Sequence, residues 1–123
     1  RAFCWLMQEL AKSHASVPTI AELTITLREL LPQPAAHGTF NLLLSNGQAL
    51  WAHCSTHLHC IERAHPFGAA TLADDDVTVD FGAQTTPNDR VAVVATEPMT
   101  ANERWQPMVA GEVRVFGAGR SVA

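Results

Sequence analysis

The sequence predicts an α+β fold in which two helices are followed by a largely antiparallel sheet. Up to residue 31 the apolar residues recur at helical spacing, and from residue 40 onward they fall in short runs between turn-forming residues. The pair Asn46-Gly47 separates two such runs and indicates a β-hairpin, because a type I′ turn needs positive φ at both central residues. Helices first and hairpin-linked strands afterwards are typical of the α+β class.

The first helix is predicted over residues 1–12. Its apolar side chains keep the i, i+3, i+4, i+7 spacing of a helix face, in the order Phe3, Leu6, Met7 and Leu10. Neither a capping residue nor an initiating Met precedes this pattern, so we expect the chain to have been cut from a longer one.

The second helix is predicted over residues 19–31. Thr19 and Glu22 form a capping box at its start, and Pro32 and Pro34 are expected to end it. Its apolar stripe consists of Ile20, Leu23, Leu27, Leu30 and Leu31. This stripe predicts that the helix covers one face of the sheet that follows.

Strands are predicted at residues 40–45, 48–54, 58–62, 77–81, 91–95 and 113–115. Residues 91–95 are apolar on both faces, which favours a central strand that is covered on both sides. Thr100 and Glu103 form a second capping box, so we expect a helical turn through Trp105 that Pro107 stops.

The composition excludes several classes of protein. A net charge of −4, with seven Arg and one Lys, provides no basic face, so no nucleic-acid partner is expected. No apolar run approaches the roughly 20 residues of a membrane-spanning helix, so no membrane partner is expected either. Three cysteines favour free thiols in a reducing compartment, which predicts a cytoplasmic location. The acidic run at residues 74–76 lacks the alternating pattern of a calcium loop and predicts a solvated turn.

A metal site is the sharpest alternative, since Cys54, His57 and Cys60 have spacings that zinc ligands use. On one continuous strand, however, the histidines and the cysteines would point to opposite faces. The ligands could converge only across a turn near residues 55–56. We therefore predict no metal and no other cofactor, and we expect the cysteines to pack as small hydrophobic residues.

No catalytic residue is predicted in this chain. A reactive thiolate needs a helix N-terminus or a cationic neighbour together with access to substrate. Cys4 lies beside the apolar stripe of the first helix without a cap, and His59 would point away from its neighbour Cys60. Glu97 and Glu103 are interpreted as structural residues. The three tryptophans, Trp5, Trp51 and Trp105, are expected to pack in the core or at its rim.

Four blocks of the chain form a recognisable series. They lie at residues 1–6, 40–47, 64–68 and 85–105, and residues 111–116 follow the last block closely. In this order and at these intervals they resemble the C-terminal part of the class II glutamine amidotransferases, in particular the YafJ-like bacterial members. The resemblance extends over nearly the whole chain.

The resemblance implies an N-terminal nucleophile hydrolase with a four-layer αββα sandwich. In such enzymes the first residue is a Cys that attacks the γ-carboxamide of glutamine or of a related γ-glutamyl compound. That Cys, an Arg for the substrate carboxylate, the Asn-Gly of the oxyanion hole and the Asp of a Thr-Asp-Ser-Glu motif are all expected before Arg1. No family residue for catalysis, cofactor binding or metal binding is therefore assigned here.

The resemblance also implies a partner, the N-terminal part of the same domain. Without it we expect one apolar face of the sheet to be open at alternate positions of residues 91–96 and 113–116, and the chain to self-associate. Two other functions stay open: a catalytically inactive interaction module and, less favoured, a small metal-binding domain built from the His/Cys segment.

Overall fold

The computed structural model describes residues 1–74 and 77–122. The helices are α1 (Ala2–Ser13), α2 (Ile20–Leu30) and the short α3 (Pro32–Ala35). The strands are β1 (Leu42–Ser45), β2 (Leu50–His53), β3 (His59–Ala64), β4 (Ala69–Thr71), β5 (Thr78–Asp80), β6 (Arg90–Ala95), β7 (Gln106–Pro107), β8 (Val113–Gly117) and β9 (Arg120–Ser121). A 3₁₀ helix, Phe81–Ala83, follows β5.

The described strands form three antiparallel sheets. Their orders are β1-β2-β8-β9, β6-β3-β7 and β4-β5. The predicted α+β class, with two long helices ahead of antiparallel strands, is confirmed. Neither α1, the longest described helix at 12 residues, nor any other described helix has the length and hydropathy needed to cross a bilayer.

The start of α2 follows the predicted capping chemistry. The Thr19 hydroxyl accepts a hydrogen bond from the backbone N–H of Glu22 at 3.2 Å and also donates to the Glu22 carboxylate at 3.1 Å. The helix ends at Leu30, one residue before the predicted end, and Pro32 and Pro34 lie in the first turn of a separate short helix, α3. Proline is tolerated there, since the N–H groups of a first turn have no partner within the helix.

The first core lies between the helices and the four-stranded sheet. Its buried members are Leu6, Leu23, Leu27, Leu31, Ala49, Trp51, Val113 and Val115. Burying each large apolar side chain contributes about 1.5–3 kcal/mol. Inside this core the Trp51 indole donates to the Thr24 hydroxyl at 2.8 Å, so the one polar atom of the indole is satisfied.

The second core lies between the two larger sheets. Its buried members are Ala52, Cys54, Leu58, Cys60, Met108 and Phe116. Side chains alternate along a strand, so Trp51 and Val115 contact the helical layer while their neighbours Ala52 and Phe116 contact the second sheet. The four-stranded sheet is therefore covered on both faces.

This arrangement corrects two expectations. Val113, Val115 and Phe116 are buried, so the open face predicted at residues 113–116 is wrong for them. Residues 91–95 were expected in a central strand, but within the described ranges β6 pairs with β3 alone, and β3 is central. An apolar stretch indicates that both faces of the strand are buried. Its position in the sheet depends on pairing with strands that are distant in the sequence.

The predicted hairpin forms, but its turn is not the predicted type. Ser45 pairs with Leu50, which leaves a four-residue loop, and of the two turn residues only Gly47 has positive φ. The Asn46 side-chain oxygen accepts hydrogen bonds from the backbone N–H groups of Gln48 and Ala49 at 2.9 and 3.0 Å. This Asx interaction replaces the backbone geometry of a type I′ turn.

The predicted helical turn after Thr100 is absent, and residues 101–103 form a bend. The Thr100 hydroxyl donates to the Glu103 carboxylate at 2.8 Å and accepts from the Trp105 indole at 2.8 Å. The two capping side chains make tertiary contacts here instead of capping a helix.

The strand predicted at residues 77–81 covers only Thr78–Asp80, and β9 was not predicted. Of the acidic run, residues 75 and 76 lie outside the described residues.

Candidate functional site

Two of the three cysteines lie in the core between the sheets. Cys54 and Cys60 are each 1% exposed, and the Cys54 thiol lies 3.7 Å from the Met108 carbonyl oxygen. Burial raises the pKa of both thiols, and for Cys60 it outweighs the lowering effect of the Arg114 charge. Neither side chain is therefore an accessible thiolate. Cys4 is exposed on α1.

Arg114 organises a polar cluster beside Cys60. Its guanidinium donates to the Glu112 carboxylate through Nε at 2.9 Å and Nη2 at 2.7 Å. Its Nη1 contacts the Cys60 sulfur at 2.9 Å and the Gln106 side-chain oxygen at 2.8 Å. The second Glu112 oxygen accepts from the Val109 backbone N–H at 3.0 Å. The charged groups satisfy one another, which favours a structural role for this cluster.

The histidines of the His/Cys segment point to different partners. Nδ1 of His53 lies 2.9 Å from the Phe40 carbonyl oxygen, and Nδ1 of His59 lies 3.0 Å from the Thr96 carbonyl oxygen. The chain turns between them at residues 55–57, where His57 has a φ of 51°. Across residues 1–74 and 77–122, no three His, Cys, Asp or Glu side chains are placed to hold a metal ion.

Asn41 holds that turn in place. Its side-chain oxygen accepts from the backbone N–H groups of Ser55 and Thr56 at 2.7 and 3.2 Å, and its Nδ2 donates to the Thr56 carbonyl at 2.6 Å. One amide side chain thus satisfies three backbone groups that have no strand partner. A turn near residues 55–56, which the His/Cys ligands would need in order to converge, is therefore present, but Asn41 holds it through backbone hydrogen bonds and no metal cluster forms among the described residues.

Arg63 joins distant segments and was not singled out in the sequence. It forms a two-pronged ion pair with Glu103, and its Cζ lies 4.7 Å from the centre of the Phe81 ring. The hydrogen bond with Arg63 lowers the pKa of the Glu103 carboxyl, with a further contribution from Thr100. Glu97 takes no part in these contacts, so the two glutamates do not form an acid pair.

A cleft of about 690 Å³ opens between the helical layer and the adjoining ends of β2 and β8. Arg28 and His53 are among its lining residues. Its volume lies within the roughly 300–1,000 Å³ of small-molecule sites.

A family model described as "Glutamine amidotransferases class-II" matches residues 1–123, the whole chain. The chain belongs to this family. The resemblance identified from the sequence blocks is thereby confirmed. Family membership does not by itself assign a catalytic role to any described residue.

Similar proteins are known from several bacteria. The chain is 46% identical over 123 residues to "Putative glutamine amidotransferase YafJ" of Escherichia coli K12, covering 99% of the chain and 48% of that protein. It is 38% identical over 122 residues to "Putative glutamine amidotransferase" of Haemophilus influenzae, covering 99% of the chain and 42% of that protein.

A solved structure has the same fold. The 2.0 Å crystal structure of a predicted glutamine amidotransferase from Pseudomonas aeruginosa matches with a TM-score of 0.85 and 39% identity, over 99% of this chain and 48% of that one. The chain therefore spans about half the length of these relatives.

Proposed function

We propose that these residues are the C-terminal part of a single class II glutamine amidotransferase domain whose catalytic cysteine is supplied by a preceding segment. The observation that carries the proposal is the family match over all 123 residues, combined with coverage of about half of each relative. The burial of Cys54 and Cys60 supports it, since neither thiol can reach a substrate.

The proposed reaction is hydrolysis of the γ-carboxamide of glutamine or of a related γ-glutamyl compound. The thiolate of the N-terminal Cys attacks the γ-carbonyl carbon, the C–N bond breaks, and ammonia or an amine leaves after taking up a proton. Water then cleaves the resulting thioester, which releases glutamate and restores the thiol. The α-amino group acts as the base, and oriented N–H donors hold the oxyanion.

In this proposal the chain forms the supporting layers of the domain. Its helices cover the four-stranded sheet, and the opposite face of that sheet packs on the three-stranded sheet. The preceding segment completes the αββα sandwich of an N-terminal nucleophile hydrolase, and in its absence the chain self-associates. Catalytic groups must be held within about 0.5 Å of their productive positions, so rigid supporting layers matter for activity. Free cysteines are in keeping with a cytoplasmic enzyme.

The test uses the complete polypeptide encoded with these residues. Glutamate release from glutamine and from γ-glutamyl amides is measured, and a thiol-alkylating diazoketone analogue of glutamine is used to label the nucleophile. Peptide mass spectrometry should place the label on an N-terminal Cys outside residues 1–123. Cys4→Ser, a change at an exposed thiol, should leave hydrolysis unchanged.

Two results would contradict the proposal. A label on Cys4, Cys54 or Cys60 would place the nucleophile within this chain. Absence of glutamate release from every γ-glutamyl compound, in a polypeptide that melts cooperatively, would favour the catalytically inactive interaction module.

A further inference from the structure

The cleft between the helical layer and the four-stranded sheet combines an apolar wall with two polar groups of different kind. Leu31 and Ala35 contribute to the wall, and Arg28 and His53 supply the polar groups. Both polar groups are tied to the same residue. His53 on β2 is the cross-strand partner of Val113 on β8, and Arg28 Nη2 donates to the Val113 carbonyl at 3.2 Å. The guanidinium and the imidazole therefore flank one point of the cleft.

His53 presents an acceptor to the cleft. Its Nδ1 lies 2.9 Å from the Phe40 carbonyl oxygen, and because a carbonyl can only accept, Nδ1 carries the proton and Nε2 carries a lone pair. Only 2% of the surface of His53 is exposed, and the residue lines the cleft. Among the described residues no group bonds Nε2. Burial lowers the pKa of His53, although the Phe40 hydrogen bond opposes it, so the ring is neutral near pH 7.

Arg28 presents a positive charge without a counter-ion. Within the described ranges it makes no salt bridge, and its hydrogen bond to the Val113 carbonyl uses only part of the guanidinium fork. Glu112, the acidic residue that lines the cleft, is already bonded to Arg114 and to the Val109 backbone. The cleft therefore offers one uncompensated cation next to one neutral acceptor.

We propose that this cleft binds a small carboxylate that carries a neighbouring O–H or N–H group. The carboxylate accepts hydrogen bonds from Arg28, whose planar fork matches the two oxygens of a carboxylate. The neighbouring O–H or N–H donates to Nε2 of His53. The apolar wall accommodates the carbon skeleton. This proposal rests on Arg28 and His53 of this chain and not on the thiol chemistry of the proposed amidotransferase function.

The test titrates glycolate, a carboxylate with an adjacent hydroxyl, into the complete polypeptide. Heteronuclear NMR follows the ring-nitrogen shift of His53, and calorimetry measures the affinity. Acetate is the probe without the donor, and glycolamide is the probe without the carboxylate. Arg28→Gln removes the cation at an exposed position, and Arg104→Gln, at an exposed position outside the cleft lining, is the matched control for net charge.

Glycolate should bind saturably and shift the Nε2 resonance. Arg28→Gln should weaken glycolate about tenfold, the effect of losing one charge-assisted hydrogen bond, while Arg104→Gln should leave the affinity unchanged. Acetate and glycolamide should each bind more weakly than glycolate. Hydrolysis of glutamine is assayed in parallel, so failure of the catalytic proposal can be recognised separately.

Three outcomes would overturn the proposal. One is a wild-type Nε2 resonance that does not move at saturating glycolate. Another is an equal loss of affinity in Arg28→Gln and Arg104→Gln, which would indicate only general attraction of anions. The third is that acetate binds as tightly as glycolate, which would show that a hydrogen bond to His53 contributes nothing to the affinity.

Discussion

Arg63 on β3 and Glu103 in the segment before β7 form a two-pronged ion pair, with Nε 2.8 Å from Oε2 and Nη2 2.6 Å from Oε1. The two side chains are only 15% and 18% exposed. This pair connects the three-stranded sheet to the segment that contains Thr100 and Trp105, and through the Phe81 ring it also reaches the end of β5.

Glu103→Gln should lower the free energy of unfolding by about 1–3 kcal/mol, because it leaves a largely buried guanidinium without its counter-ion. Glu9→Gln is the matched control, since Glu9 pairs with Lys12 on α1 in an exposed position and should cost less than about 1 kcal/mol. Urea denaturation of both variants measures the difference. Equal losses would show that the Arg63–Glu103 pair contributes no more than a surface pair.

The stability difference between the wild-type chain and Glu103→Gln should depend on pH. The pKa of Glu103 is lowered in the folded chain, so its contribution is fully present above the ordinary carboxyl pKa of about 4.3 and is lost as pH falls through the lowered value. Denaturation at a series of pH values should show the two proteins converging in acid. A difference that stays constant down to the lowest pH would exclude a charged Glu103 as its source.

Gly119→Ala should destabilise the chain more than Gly47→Ala. Both glycines have positive φ, +76° and +88°, so both substitutions incur a strain of about 1–2 kcal/mol. At Gly119 an added Cβ would also overlap the Arg90 carbonyl and lie 2.8 Å from the Val91 nitrogen, whereas at Gly47 nothing lies within 4 Å. The loss at Gly119 should reach about 3 kcal/mol. An equal decrease of the melting temperature in both variants would mean that β6 moves away from the added methyl group at little cost in free energy.

Thr24→Val should lower the free energy of unfolding by about 1–3 kcal/mol, because it leaves the Trp51 indole N–H without its acceptor in the core. Thr24→Ser keeps the hydroxyl and loses one methyl group, worth about 0.8 kcal/mol. Chemical denaturation followed by tryptophan fluorescence should therefore give a lower free energy of unfolding for Thr24→Val than for Thr24→Ser. The reverse order would show that packing of the methyl group matters more than the hydrogen bond.

Local patterns predicted the parts of the fold that depend on neighbouring residues. The Thr19 cap, the apolar stripe of α2 and the hairpin at Asn46-Gly47 all involve groups within a few residues of one another, so their chemistry can be recognised directly. The family was also recognisable, because its blocks keep their order along the chain. The helical turn predicted from the capping box at Thr100 does not form, because Glu103 has a stronger partner in Arg63, 40 residues away in the sequence.

The sequence by itself determined the two long helices, the antiparallel strands and the membership of the amidotransferase family. Only the tertiary structure decided that β3 is the centre of its sheet and that Cys54 and Cys60 are buried. It also decided that Arg28 donates to the carbonyl of Val113, the cross-strand partner of His53. The physical reason is the range of the interactions. Helix caps and turns form between near neighbours, whereas strand pairing, burial and ion pairs depend on residues that only the folded chain brings together.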